Sequence, residues 1–102
     1  MSNNTLEYRF LDDFDTYSVG LIPESRKITK DYLNLQNIKS NPRIEFKDNS
    51  GNIEIMSLVQ IKTDYFATGY ISGLSIGVKV SHLKNDKNKV SLYIVINTKE
   101  CN

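Results

Sequence analysis

The chain has one cysteine, one histidine, two prolines and no tryptophan among its 102 residues. Each scarcity excludes something. A single cysteine, Cys101, cannot close an internal disulfide, so a small scaffold stapled by disulfides is ruled out. One histidine and one cysteine cannot furnish the ligand shell of an ordinary zinc site. No apolar run approaches the roughly 20 residues of a membrane-spanning helix. The opening stretch, MSNNTLEYRF, carries neither the basic nor the apolar segment of a secretory leader. The expectation is a soluble, cytoplasmic protein that makes no membrane contact and is stabilised by its core alone. Charge of neither sign dominates: 13 basic and 12 acidic residues leave a net charge of +1. A dedicated nucleic-acid binder usually carries a clear basic excess, which is missing here. The hydrophobic fraction of 39% is enough for one folded domain.

Catalytic patterns are equally scarce. Nucleophilic catalysis needs a nucleophile, a base and an orienting group in contact. His82 falls in or near a hairpin strand, and Cys101 sits in the C-terminal tail, so a dyad between them is disfavoured. No Gly-x-Ser-x-Gly turn is present. The acidic knot DDFD (Asp12, Asp13, Asp15) lacks the glycine and distal glutamate of a calcium loop and reads as a solvated loop. Gly69, Gly73 and Gly77 recur every four residues, but no Gly-Lys-Ser/Thr follows them, so bends and bulges are the expectation rather than a phosphate loop. The sequence therefore points to no enzyme, no metal and no cofactor.

What is present is alternation. Ile53, Ile55, Val59 and Ile61 share one face at period two, with Met56 and Leu58 on the other; apolar residues on both faces predict a central, doubly covered strand. The cluster DNSGN before it predicts a hairpin with the preceding RIEFK segment. Ile76, Val78 and Val80, then Val90, Leu92, Ile94 and Ile96, predict a second hairpin, with Tyr93 and Val95 on a second covered face. Leu6, Tyr8 and Phe10 alternate near the N-terminus. Residues 25–38 are ambiguous. Ile28, Tyr32, Leu35 and Ile38 fit a helical stripe that Ser25 could cap, with Pro42 beyond its end.

A weak internal repeat bears on that ambiguity. DTYSVGLI (residues 15–22) and DYFATGYI (residues 64–71) share Asp, Gly and Ile in register, with an aromatic at the third place. With a one-residue gap the correspondence runs from Leu6/Ile55 to Phe46/Ile94 and preserves strand parity. It predicts a mostly β fold of two related units, 4–47 and 53–99, packed as one domain. The alternative is an α+β fold with one helix near residues 25–38. In both copies the repeated strand has a bulky face (Phe66, Thr68, Tyr70; Tyr17, Val19, Leu21) and a small-residue face (Tyr65, Ala67, Gly69; Thr16, Ser18, Gly20). The bulky face is expected against the core.

The repeated pattern Asp15-x-Tyr17-x-x-Gly20-x-Ile22 and Asp64-x-Phe66-x-x-Gly69-x-Ile71, with the Lys/Asn/Ile-rich composition, resembles the small orphan proteins of archaeal filamentous viruses of the Acidianus filamentous virus 1 type. The resemblance implies a host-cell location and a role made of contacts; it transfers no catalytic residue. The many asparagines depart from it, because thermolabile asparagine tends to be reduced in hyperthermophile proteins, and a phage or bacterial origin stays open. The functional expectation is a non-enzymatic module that binds a protein partner or an extended peptide in a cleft between the two repeats. Ser18, Gly20, Ala67 and Gly69 would line the trough, and Tyr65 and Tyr70 would contact the ligand. The alternative is a small β-domain that binds nucleic acid through the lysine-bearing loops QNIKS and KNDKNK and its aromatic faces.

Overall fold

The computed structural model describes residues 5–11, 20–23, 27–34, 42–86 and 89–98. All of its regular elements are strands: β1 (Thr5–Leu11), β2 (Gly20–Pro23), β3 (Ile28–Asn34), β4 (Arg43–Lys47), β5 (Ile53–Ser57), β6 (Val59–Ile61), β7 (Asp64–Ile71), β8 (Leu74–His82) and β9 (Lys89–Thr98). They form a four-stranded sheet, β2-β1-β4-β5, and a five-stranded sheet, β3-β9-β8-β7-β6, packed on each other. Every strand pair is antiparallel. The fold is mostly β, as the alternation predicted.

Residues 25–38 are where the helical stripe fails. The described part of that segment is strand β3, paired over seven positions with β9 from Ile28↔Val95 to Asn34↔Lys89. Ile28 and Tyr32 lie four residues apart, a spacing that suits one face of a helix and one face of a strand alike. The β-branched and aromatic residues favour the strand, and the long partner β9 supplies the ladder. Leu35 and Ile38 lie outside the described residues.

Inside the sandwich, β1, β2, β4, β5, β7, β8 and β9 supply the buried side chains, while β6 is exposed at all three of its positions. The four-stranded sheet contributes Leu6, Tyr8, Ile22, Ile44, Phe46 and Met56, all buried. The other contributes Tyr65, Ala67 and Ile71 from β7, the even-numbered apolar residues of β8, and Val90, Leu92, Ile94 and Ile96 from β9. Leu92 and Ile94 are fully buried. Tyr8 packs its ring 6.3 Å from that of Phe46. Its hydroxyl donates to the Asp31 carboxylate on β3 at 3.3 Å, which ties the two sheets together. Burial, and next the negative charge of Asp31, push the Tyr8 phenol up to about 12.

The segment 53–61 corrects a prediction. It is two short edge strands in different sheets, with Leu58 at the crossing, where its amide donates to Pro42 O at 2.8 Å. Met56 and Leu58 are buried, whereas Ile53, Ile55, Val59 and Ile61 are between 48% and 61% exposed. The parity was legible and its sense was not. Two facing residues reach the core, and the four-residue set turns outward because a two-sheet sandwich covers only the inner face of each sheet.

The two halves of the repeat also differ in strand order among the described residues. In the first, β1 lies between β2 and β4, and β3 joins the other sheet; in the second, β7, β8 and β9 are consecutive neighbours and β5 lies in the opposite sheet. The corresponding Leu6 and Ile55 therefore sit in a central and an edge strand, one buried and one exposed.

Turns carry their own chemistry. In DNSGN, Asp48 Oδ1 accepts from the amides of Ser50 (2.9 Å) and Asn52 (2.8 Å), and Gly51 takes the left-handed backbone (φ 88°) that closes the loop. Between β7 and β8 the turn residues Ser72 (φ 49°) and Gly73 (φ 80°) both have positive φ, as a tight two-residue hairpin requires. The Ser72 hydroxyl donates to Asp48 Oδ2, and Asn52 Nδ2 donates to Ser72 Oγ at 3.1 Å. The hydrogen bond from Ser72, with those from Asn52 and Ser50, holds the Asp48 carboxyl down at about 2.

Candidate functional site

The expected trough between the repeats is not where its residues lead. Tyr65, Ala67 and Gly69 share a face of β7, but that face points into the sandwich and all three are buried. Gly69 faces Met56 of the opposite sheet so closely that a Cβ there would overlap Met56 Sδ and lie 3.0 Å from its Cγ. The small residues thus admit the other sheet rather than a ligand. Tyr70 projects from the opposite face and is 60% exposed. Gly20 opens β2, paired with Tyr8 in the other sheet, and Ser18 lies outside the described residues. The bulky face Phe66, Thr68, Tyr70, expected against the core, is the outer one.

That outer face gathers the exposed apolar side chains. Ile28, Tyr32, Val59, Ile61, Tyr70 and Tyr93 all project from it, leaving only Ile53 and Ile55 of the described large exposed hydrophobics on the other sheet. The registers Val59↔Phe66, Phe66↔Lys79, Lys79↔Tyr93 and Lys30↔Tyr93 draw one row straight across all five strands. The neighbouring row reads Thr68, Gly77, Val95, Ile28. Gly77 has no side chain to fill its place, and a Cβ there would meet nothing within 4 Å. The result is a shallow apolar groove of about 210 Å³ with Gly77 as floor and Phe66, Thr68, Tyr93 and Val95 around it.

A second, more polar cavity of about 250 Å³ adjoins the groove across Tyr93; Lys30, Lys79, Ser81 and Ser91 line it. The Lys79 ammonium lies 3.9 Å from Asp64 Oδ2 and 5.9 Å from the centre of the Phe66 ring. Lys30 lies 5.7 Å from the centre of the Tyr32 ring. Among the described outward residues of this sheet, Lys30, Lys79 and Lys89 are cationic and Asp64 is the one acid.

Other candidates offer less. His82 is exposed, with its ring 6.4 Å from that of Tyr65, while Cys101 and the DDFD knot lie outside the described residues. Among the described residues no three His, Cys, Asp or Glu side chains gather as a metal site, and no helix is long and apolar enough to cross a membrane. The cavity of about 200 Å³ beside Thr5, Asp48 and Ser72 is the flank of the hydrogen-bonded turns. Of the lysine loops, QNIKS lies outside the described residues, as do Lys87 and Asn88 of KNDKNK.

The sequence alone does not single out Phe66, Gly77, Lys79 and Tyr93 as candidate site residues. One signal could have found them. The second face of β8 reads Ser75, Gly77, Lys79, Ser81, which is too polar for a covered face. Its register with Tyr93 and Val95 puts those residues outside as well. No protein-family model, curated protein or solved structure matches the chain.

Proposed function

We propose that this protein is a non-enzymatic interaction module and that its contact surface is the outer face of the five-stranded sheet. The observation that carries the reading is the concentration of exposed Ile28, Tyr32, Val59, Ile61, Tyr70 and Tyr93 on that one face. Exposed apolar side chains gathered on one face and interspersed with polar ones are typical of docking surfaces, and aromatic residues supply most contact energy at protein interfaces. The partner is a protein or peptide. The nucleic-acid reading draws on the row Lys30–Tyr93–Lys79, since aromatic platforms between cations bind single strands. The aliphatic side chains weigh against it: Ile28, Val59 and Ile61 offer nothing to a base or a phosphate, yet each suits a protein surface.

Affinity capture from native-host lysate with three forms of the protein tests this reading. A partner retained by the wild type and by Ile55→Glu, on the opposite sheet, but lost by Tyr93→Glu supports the assignment. A partner retained by Tyr93→Glu puts the contact elsewhere.

A further inference from the structure

The groove over Gly77 and the lysine-lined cavity beside it differ in chemistry, share Tyr93 and Lys79, and lie diagonally to one another across β8 and β9. Taking the proposed interaction face as the docking surface, we infer that its occupant is an extended peptide segment carrying an apolar residue and an acidic residue two positions apart. The apolar side chain fills the groove, and the carboxylate enters the cavity between Lys30 and Lys79, where the Ser81 hydroxyl adds a donor and the Ser91 hydroxyl, which donates to Ser81 O at 3.5 Å, would have to turn to add another.

The spacing follows from the register. The groove lies at the level of Gly77 and Lys79, centred over β8, and the cavity at that of Lys79 and Ser81, displaced toward β9 and β3, so their centres are offset by two residues along the strand and by one strand spacing, ~4.8 Å, across it. In an extended chain, side chains two positions apart point the same way and repeat every ~6.8 Å. A peptide crossing the strands obliquely, from over β8 at the groove toward β9 at the cavity, therefore presents positions i and i+2 to the two cavities together. Charge selects the acid: three lysines against one aspartate make the face net positive. The same excess disfavours a second copy of this chain as occupant, because face-to-face docking would oppose two positive surfaces. Asp64, 3.9 Å from Lys79, is the internal competitor that the ligand carboxylate displaces.

Gly77 provides a test that spares the fold. Its φ lies outside the left-handed region and its Cβ position is open, so Gly77→Val fills the groove without strain. Random nonapeptides displayed on phage are selected on the immobilised wild-type protein, and enriched sequences are synthesised with a fluorophore for anisotropy titration. The expected result is enrichment of an aliphatic or aromatic residue two positions from Asp or Glu. Gly77→Val should weaken binding by about tenfold or more, as expected for lost burial of one apolar side chain, with circular dichroism unchanged. Lys79→Glu should abolish binding of the acidic peptides and shift selection toward basic ones. Asp64→Asn should tighten binding by a factor of about two to five, the range of an exposed ion pair.

Enriched peptides that bind the sheet face without the acidic residue, or with full affinity to Gly77→Val, overturn this inference and leave the interaction module standing. Absence of any enriched peptide, together with salt-sensitive binding of fluorescent oligo(dT) that Tyr93→Ala abolishes, overturns both.

Discussion

Gly69 and Met56 offer a test of how the two sheets stack. Met56 is buried on β5, and its thioether occupies the space a side chain at Gly69 would need. Glu54 Oε2 approaches the same position to 3.1 Å. In Gly69→Ala, two effects oppose each other. Replacing a glycine within a strand reduces the entropy lost on folding, worth about 0.5–1 kcal/mol of stability. Against that, the new methyl must expel Met56 from its position, and overpacking of a closed core costs about 1–3 kcal/mol. The flexible thioether can rotate, which favours the lower part of that range. The net expectation is destabilisation by about 0.5–2 kcal/mol.

The diagnostic quantity is the coupling with Met56→Ala. Alone, that change empties a buried site and should cost about 2–5 kcal/mol. In its background the obstacle to the new methyl is gone, so Gly69→Ala should become neutral or stabilising. A double-mutant cycle by urea denaturation should then give a favourable coupling of about 1–3 kcal/mol. Additivity within about 0.5 kcal/mol would contradict this packing, since it would mean that β5 does not lie over β7 at this point.

Further outcomes follow from burial and titration. Leu92→Ala should cost about 2–5 kcal/mol, while Ile55→Ala, at an exposed edge, should cost well under that; equal losses in urea melts would contradict the placement of β5. Gly77→Val should raise stability by about 0.5–1 kcal/mol or leave it unchanged, read by the same melts, because it adds a good strand former in open space. The Tyr8 phenol, raised to about 12 from an ordinary 10, retains its proton in the folded state while the unfolded chain loses it. Its contribution to stability is therefore complete below pH 10 and lost as pH rises toward 12, so the urea midpoint of Tyr8→Phe should fall less than that of the wild type between pH 9 and 11.5. Asp48 has the opposite sign: its carboxyl, lowered to about 2 from 3.8, supports the fold fully above about pH 4 and progressively less as pH falls to 2. The difference in Tm between the wild type and Asp48→Asn should accordingly shrink over that interval.

Strand positions were legible in the sequence wherever alternation was long and bounded by turn residues. The β8–β9 hairpin is the clearest case, since Ile76 to Val80 and Val90 to Ile96 put one apolar face inward on two paired strands. DNSGN was legible as a turn because Asp and Gly have specific roles in its closure. What alternation could not state is which face is inside when both are apolar. At residues 53–61 the larger set faces out, because membership of an edge strand depends on where the chain crosses between sheets, and Leu58 bears no local mark of that crossing. On β7 the same ambiguity inverted the assignment: Phe66 and Tyr70 look like core residues, yet Tyr65, Ala67 and Ile71 are the ones buried.

Gly69 and Gly77 show why the proposed binding face could not be read directly. They lie on adjacent, paired strands, β7 and β8. Their odd numbers suggest a common face, but the register places Gly69 opposite Ile76 and Gly77 opposite Thr68. Gly69 therefore points inward beside a buried isoleucine, and Gly77 outward beside an exposed threonine. One absent side chain lets Met56 cross between the sheets; the other leaves an open groove. The composition of each strand is silent on this difference, and the pairing register decides it. The lysines then fit the exposed groove in two ways. On the proposed reading they would supply charge for a ligand, and Lys30 on the edge strand β3 would also discourage uncontrolled edge pairing. If that face serves one partner, as proposed, it needs charge complementary to the partner and repulsive to its own copies, and Lys30 and Lys79, in the same row as Tyr93, would supply both.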